Sequence, residues 1–205
     1  MNHTQPLIPE SEIETHPFPP FIPEGAKVLI MGTFPPQPKR WAMNFYYPNR
    51  TNDFWYAMGL IFFGDKDALY CRPHKEYRLE EIKALLKDKG IAMSDTGYKI
   101  YREKGNASDK FLNILQPVDL DGLTARMPDL RGIATTGEKA AEVIASITDT
   151  PAPKIGEFSV WHKEDSHLNN DIQIWRMPST SRAYPLPLQK KAEYYEAMFR
   201  SVGIL

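Results

Sequence analysis

Four short apolar runs along the chain predict buried strands. They cover residues 27–31, 91–93, 130–135 and 172–177. Continuous runs of this length are typical of strands that are covered on both faces. Helical patterns separate and follow them, over residues 54–63, 79–89, 138–147 and 188–201. The clearest of these is segment 79–89, whose apolar residues recur at helical spacing before Gly90, a suitable C-cap.

Strands that alternate with helices imply parallel pairing through right-handed crossovers. We therefore predict an α/β fold, a three-layer α/β/α sandwich with a central parallel sheet of about four strands. Residues 1–24 contain six prolines and predict an extended arm, because proline interrupts helices and central strands. No interior linker divides the rest, so residues 25–205 are expected to form one domain.

Composition narrows the class of protein. With 42% hydrophobic and 25% charged residues, the chain has the make-up of a soluble globular protein. No apolar run approaches a membrane span, and no signal peptide is evident. The single cysteine, Cys71, excludes an intrachain disulfide framework and favours a cytoplasmic protein. A net charge of −1 argues against a broad nucleic-acid surface but leaves room for a local basic patch, with candidates Lys39, Arg40, Arg50, Arg182, Lys190 and Lys191.

The segments that follow the predicted strands are expected to meet at one edge of the sheet. They are residues 32–55, 94–98, 135–138 and 178–184. The first contains Tyr46, Tyr47 and Asn52, and flat rings beside a carboxamide favour a nucleobase site. Phe54 and Trp55 are expected to open a core helix instead, and the Asn52–Asp53 pair is also suited to capping that helix.

The other loops carry weaker signals. Gly32 permits a close backbone approach to a ligand. Asp95 is a candidate base or water-holding group, although its spacing alone favours a cap or a turn. Three successive hydroxyl residues, Ser179–Ser181, suit a phosphate, and a turn is the alternative.

Several chemistries are not supported. Dinucleotide-binding, P-loop and Gly-x-Ser-x-Gly motifs are absent. The histidines lack paired metal-ligand spacing, and the nearest approach to a metal cluster, His162 with Asp165 and His167, is better read as a polar loop. We therefore expect neither a metal nor another cofactor.

Five segments, in order, resemble motifs of the uracil-DNA glycosylase superfamily, most closely its mismatch-specific and hypoxanthine-DNA glycosylase branches. They are Gly32-Thr33-Phe34-Pro35-Pro36, then Tyr46-Tyr47 with Asn52-x-Phe54-Trp55, then Gly90-Ile91-Ala92-Met93-Ser94-Asp95, then Thr136-Gly137-Glu138-Lys139-Ala140, and finally Met177-Pro178-Ser179-Thr180-Ser181-Arg182-Ala183. The resemblance implies a monomeric, cofactor-free, monofunctional DNA glycosylase that removes a deaminated base, uracil or hypoxanthine, from DNA holding a damaged or mismatched base.

The resemblance also implies roles for individual residues. Asn52 is the expected catalytic carboxamide, with Asp95 as a second catalytic candidate. The base would lie against the first motif and the aromatic pair, which comprise Gly32, Thr33, Phe34, Tyr46 and Tyr47. DNA contacts are expected from the last motif and the residues after it, namely Pro178, Ser179, Thr180, Ser181, Arg182 and Tyr184.

Four positions depart from the family pattern: Phe34, Pro36, Thr136 and Arg182. Many relatives carry a water-activating Asn or Asp where Phe34 stands, so water activation here would fall to Asn52 and Asp95. The alternative is a nucleic-acid or nucleotide-binding module that has the same fold but lacks turnover.

Overall fold

The computed structural model describes residues 8–103, 111–163 and 171–205. Within them the helices are α1 (Phe54–Phe63), α2 (Leu79–Lys89), α3 (Leu120–Thr124), α4 (Glu138–Thr148) and α5 (Leu188–Ser201). The strands are β1 (Ile13–Thr15), β2 (Val28–Gly32), β3 (Tyr70–Cys71), β4 (Glu76–Tyr77), β5 (Ile91–Asp95), β6 (Gly97–Arg102), β7 (Leu112–Pro117), β8 (Gly132–Thr136), β9 (Phe158–Trp161) and β10 (Ile172–Met177). Short 3-10 helices cover Glu10–Glu12 and Pro38–Arg40.

The central sheet has five strands in the order β5-β2-β8-β10-β9. The four predicted strands are neighbours and pair in parallel, which confirms that part of the prediction. The fifth strand, β9, was not predicted and runs antiparallel to β10 at the sheet edge. Every residue of β2, β5 and β8 is buried, as expected for strands that are covered on both faces.

Helices cover both faces of this sheet and form the predicted three layers. One face packs against α1, α2 and α5 around Trp55, Leu86 and Phe199. The other face packs against α3 and α4 around Leu123 and Ile144. As expected, Phe54 and Trp55 open a core helix, and both are almost completely buried.

Two smaller sheets lie beside the central one. Strands β1, β6 and β7 form an antiparallel sheet in the order β1-β6-β7, and β3 pairs with β4 in a hairpin. Strand β5 extends to Asp95, and β6 starts at Gly97. The predicted loop over residues 94–98 is therefore wrong, because Ser94 and Asp95 are buried strand residues and only Thr96 separates the strands.

The described part of the proline-rich arm packs along the domain. Its strand β1 pairs with β6, and Phe21 exchanges two backbone hydrogen bonds with Met93. The arm thus reaches the end of β5, where Asp95 lies. Among the described residues, no helix combines the length and the apolarity that a membrane crossing would need.

Candidate active site

A cleft of about 320 Å³ lies at the carboxyl ends of the parallel strands. Each of the five motif segments contributes residues to its wall, as the strand order requires. The lining residues are Gly32, Thr33, Phe34, Pro35, Pro36, Arg40, Tyr47, Pro48, Asn49, Thr51, Asn52, Asp95, Thr136, Ser179, Thr180, Ser181, Arg182 and Ala183. The structure therefore brings Tyr47 and Asn52, from the loop before α1, together with Asp95, the last residue of β5.

Tyr47 presents its ring to the cleft in a constrained position. One face stacks on Phe54, with ring centroids 4.0 Å apart and planes 16° apart, and its hydroxyl lies 2.7 Å from the Thr136 Oγ1. The backbone of Tyr47 has a φ of 52°, a left-handed conformation that is uncommon outside glycine. Phe54 therefore covers one face of the Tyr47 ring.

Asn52 lies one residue before Asp53, the N-cap of α1, and also lines the cleft. Its Oδ1 accepts the backbone N–H of Phe54, the first residue of the helix, at 2.9 Å, so the expected side-chain contact to the helix start is present. Because that N–H can only donate, the atom facing it must be the amide oxygen. The NH₂ group of Asn52 is then the end of the amide that is left for the cleft. The backbone of Asn52 also bridges to Ser181, which ties this loop to the last motif.

Asp95 is held by two partners at the end of β5. Its Oδ1 accepts the N–H of Gly32 at 3.1 Å, and its Oδ2 lies 3.0 Å from the Nε2 of His16. The other ring nitrogen of His16, Nδ1, lies 2.8 Å from the carbonyl oxygen of Phe18. The backbone N–H of Phe18 also lies 3.2 Å from this Nδ1, so Nδ1 meets both a donor and an acceptor, while Nε2 faces the Asp95 carboxylate.

The protonation of His16 follows from these contacts. Burial by itself lowers the pKa of His16, but the hydrogen bond and charge of Asp95, together with the Phe18 carbonyl, outweigh it. The pKa of His16 is therefore raised above its ordinary value of 6.5. The raised pKa favours the protonated imidazole beside the Asp95 carboxylate.

Gly32 is required by its neighbours. A Cβ at this position would stand 2.7 Å from the Asp95 Oδ1 and 3.2 Å from the Tyr47 hydroxyl. The first distance is shorter than real Cβ contacts allow. The sequence predicted a glycine for close approach of a ligand, whereas the structure shows that the side chains of the site itself fill that space.

The hydroxyls of the last motif organise their own loop. Ser179 and Ser181 each accept a backbone N–H two residues later, from Ser181 and Ala183, so the turn alternative is confirmed as local geometry. Those backbone N–H groups are thus engaged within the loop, and the hydroxyl O–H groups remain the donors that can reach a ligand. Thr180 is buried, and its carbonyl accepts the N–H of Asp53 at 2.8 Å.

An ion-pair network fastens this loop to the start of α1. The Lys191 ammonium is completely buried and donates to the Asp53 Oδ2 at 2.9 Å and to the Ser181 carbonyl at 2.8 Å. Arg182 donates to the other Asp53 oxygen at 2.9 Å and lies over the ring of Tyr56. Lys191 is therefore a buried structural cation, and its assignment to a basic surface patch is wrong.

Phe34 lies in the cleft wall. The buried Arg102 guanidinium lies 5.5 Å from the centre of its ring and donates to the Pro35 carbonyl at 2.7 Å. Arg102 also pairs with Glu14 of the arm at 2.8 Å. The Arg102 guanidinium therefore supports the Phe34–Pro35 segment, and the Phe34 ring lines the cleft.

Three of the expected site residues do not line the cleft. Tyr46 is buried and donates to the Pro19 carbonyl, and the Pro178 carbonyl accepts the Tyr195 hydroxyl. Tyr184 also lies outside the lining. Sequence reasoning missed His16, whose only local signal was a histidine inside the proline-rich arm.

The histidine-containing loop gives no metal site among the residues that can be described. His162 is exposed and pairs with Asp171 at 2.7 Å. Its other proposed neighbours, Asp165 and His167, lie outside the described residues. Within the three described ranges, no group of three or more His, Cys, Asp or Glu side chains could hold a metal ion.

Comparisons with known proteins bear on the fold. No protein-family model and no curated protein matches the chain. Among solved structures, the chain is similar to the solution NMR structure of a protein from Methanosarcina acetivorans that is provisionally assigned as a uracil DNA glycosylase. The two share 23% identity with a TM-score of 0.58, over 93% of this chain and 99% of the other. At this identity the similarity establishes the α/β fold.

Proposed function

We propose that this protein is a monofunctional DNA glycosylase that hydrolyses the N-glycosidic bond of a deaminated base flipped out of DNA. One observation carries the proposal: an aromatic ring, a carboxamide and a buried carboxylate, Tyr47, Asn52 and Asp95, border one cleft at the strand ends. The fold similarity to a provisionally assigned uracil DNA glycosylase supports the same superfamily. Uracil and hypoxanthine are the proposed bases, with the mismatch-specific and hypoxanthine branches as the nearest relatives.

Base capture would depend on Tyr47. Extruding a base from the duplex costs a few kcal/mol, least for a mispaired base. Stacking on an aromatic ring contributes about 1–3 kcal/mol per base. Since Phe54 and Thr136 hold the ring in place, little side-chain entropy is lost when a base stacks on it.

Bond cleavage would use Asn52 and Asp95 in different ways. As the C1′–N bond breaks, the sugar gains positive charge and the base leaves with the bonding electron pair. The Asn52 NH₂ group is the proposed donor to the departing anion, because its amide oxygen is already engaged by Phe54. The carboxylate of Asp95 would stabilise the cationic sugar and orient the water that adds its oxygen to C1′. The water gives up one proton, and the base anion gains one.

DNA contact would come from the last motif. Ser179, Thr180 and Ser181 are the proposed phosphate ligands, and Arg182 and Tyr184 are proposed near the vacated base position. Arg182 is half exposed beside the cleft and anchored by Asp53, so its guanidinium is fixed where an anionic backbone would pass. Such contacts position the duplex without reading its sequence.

A second function, binding without turnover, is favoured by Phe34. This side chain occupies the cleft wall where many superfamily members carry a water-activating Asn or Asp, and its inward surface offers no hydrogen bond. Under this alternative the same cleft would accept a base or a nucleotide and leave the glycosidic bond intact.

Cleavage of a defined oligonucleotide panel separates the two functions. Duplexes with a single uracil, hypoxanthine or xanthine would be incubated with excess protein and then treated with alkali, which breaks the strand at an abasic site. We expect strand breaks with uracil or hypoxanthine, and their loss in Asn52→Ser. Tight binding to the same duplexes without breaks would establish the binding module instead.

A further inference from the structure

A second groove, half of whose lining residues are cationic, adjoins the candidate cleft. It has a volume of about 700 Å³ and shares Thr51 and Arg182 with the cleft. Three separate segments supply its cationic residues: the loop before α1, the region of the β3–β4 hairpin, and the loop before α5. These residues are Arg50, Lys66, Arg72, Lys75 and Arg182.

The charge balance of this groove differs from that of the chain. The whole protein carries a net charge of −1, whereas the groove wall holds five cationic side chains and one carboxylate, Asp53. Asp53 is already engaged by Arg182 and the buried Lys191. The groove therefore presents an excess of positive charge, which selects an anionic ligand.

Two of these cations are available for a ligand. Asp67 pairs with Lys66 at 2.8 Å and with Arg72 at 2.7 Å, so both are partly neutralised. By contrast, Arg50 and Lys75 are exposed, and neither pairs with a carboxylate in the part of the chain that the structure describes. These two residues would contribute the most to binding an anion, because no intramolecular partner competes for them.

Packed tyrosine rings support the β3–β4 hairpin, which carries Arg72 and Lys75. Tyr70 and Tyr77 are partners across β3 and β4, with ring centroids 5.2 Å apart, and Tyr70 also lies 5.5 Å from the ring of Tyr56. At the tip, Lys75 has a φ of 56°, and its N–H donates to the Arg72 carbonyl at 3.3 Å. Tyr56 and Tyr70 line the groove and give it aromatic surface between its charges, a combination used for nucleic-acid strands.

We propose that this groove binds the sugar-phosphate backbone of the DNA strand beside the extruded nucleotide. The inference rests on the proposed function, and it adds a path for the strand. The groove is continuous with the cleft through Arg182, and its cations are spread over three segments, as successive phosphates would require. The strand would pass from the base cleft over Arg182 and then along the hairpin toward Lys75.

Salt dependence of DNA binding tests the proposal with a charge-matched control. Arg50→Gln/Lys75→Gln removes the two unpaired groove cations. Arg126→Gln/Lys154→Gln removes one arginine and one lysine that are exposed and do not line either cavity. Fluorescence anisotropy on duplexes with a single uracil or hypoxanthine, measured from 50 to 300 mM salt, gives the slope of log K against log salt.

Losing two phosphate contacts should flatten the slope by about 1.8 and weaken binding about 60-fold at 0.1 M salt, from about 0.9 counterions released per contact. The control variant should keep the wild-type slope. Equal slopes in the two double variants would overturn the proposal.

Flank length gives a second, independent measurement. Duplexes would carry the target base close to the 5′ end or close to the 3′ end, with the total length kept constant. Shortening the flank on the groove side should reduce wild-type binding to the level of Arg50→Gln/Lys75→Gln, and shortening the other flank should not. If shortening either flank reduced DNA affinity equally, the proposed path of the strand along the groove would be refuted. Both measurements use binding alone, so absence of cleavage in the wild type would count against the proposed function and leave this test intact.

Discussion

The most discriminating perturbation is at Asn52, where one amide makes two contacts. Its Oδ1 caps the Phe54 N–H at 2.9 Å, and its NH₂ group is left for the cleft. Alanine removes both functions, whereas serine keeps a hydroxyl acceptor for the same N–H and removes the amide donor. A serine hydroxyl can accept the N–H two residues later in the same kind of turn as asparagine, although more weakly.

The expected magnitudes differ between the two variants. Losing the capping contact in Asn52→Ala should cost about 0.5–2 kcal/mol of stability. For a chain of 205 residues this corresponds to a Tm lower by about 1–8 °C, at about 2–4 °C per kcal/mol. Losing a donor aimed at developing negative charge should slow cleavage about 100–1000-fold in both variants. Asn52→Ser should therefore combine a nearly wild-type Tm with a large loss of rate.

The assay pairs thermal unfolding with single-turnover cleavage on the best base of the panel. DNA affinity, measured at the same time, should change little in either variant. Cleavage by Asn52→Ser within about threefold of wild type would refute the donor role. A lower Tm with unchanged cleavage in Asn52→Ala would leave Asn52 as a cap and make Asp95 the leading catalytic candidate.

Three further outcomes are expected. Gly32→Ala should destabilise the protein by about 1–3 kcal/mol in urea unfolding, because the new methyl would overlap the Asp95 carboxylate. The stabilisation that His16 gains from its raised pKa should be fully present below about pH 6.5 and lost as the pH rises through the folded-state value. The difference in free energy of unfolding between wild type and His16→Gln should thus shrink between pH 6 and 9. Asp53→Ala should cost about 3–5 kcal/mol because it leaves the Lys191 ammonium buried without a counterion. Lys191→Met should cost less, since the carboxylate keeps its arginine partner.

Each of these outcomes has a contrary result. A Gly32→Ala protein as stable as wild type would mean that the Asp95 carboxylate can move without cost. A pH-independent difference for His16→Gln would exclude titration of the imidazole in that window, and the exposed His162 provides the control as His162→Gln. If Asp53→Ala and Lys191→Met were equally destabilising, the arginine contact would contribute nothing.

The sequence predicted the central layer of the fold well because buried parallel strands are continuous apolar runs. The predicted bounds of β10, α1, α2 and α5 match the structure. Strand β9 was not predicted because it has no continuous apolar run. Its residues alternate between exposed and partly buried, as is usual at a sheet edge. Residues 94 and 95 were assigned to a loop since they are polar. Hydrogen bonds to Gly32 and His16, both distant in sequence, explain why Asp95 can end a buried strand.

The sequence predicted the site residues that lie at the ends of the strands. It did not predict those that depend on contacts distant in sequence. Tyr47, Asn52 and Asp95 line the cleft because parallel strands place their carboxyl ends together. His16 meets Asp95 across 79 positions of sequence, and no local pattern indicates that pairing. Lys191 looked like a surface cation, although its position four residues before the buried Tyr195 places it on the buried face of α5.

Residues from opposite ends of the described chain hold the walls of the cleft in place, so the cleft cannot be completed until both have been synthesised. His16 leaves the ribosome early, but Lys191, which neutralises Asp53 and holds the Ser181 loop, emerges after the whole sheet. At about 5–20 residues per second, the 175 positions between them take roughly 10–35 seconds to appear. A nascent chain that already contains every strand of the sheet would still lack the lysine that fastens the cleft. The cleft would therefore reach its final shape only when α5 has been made.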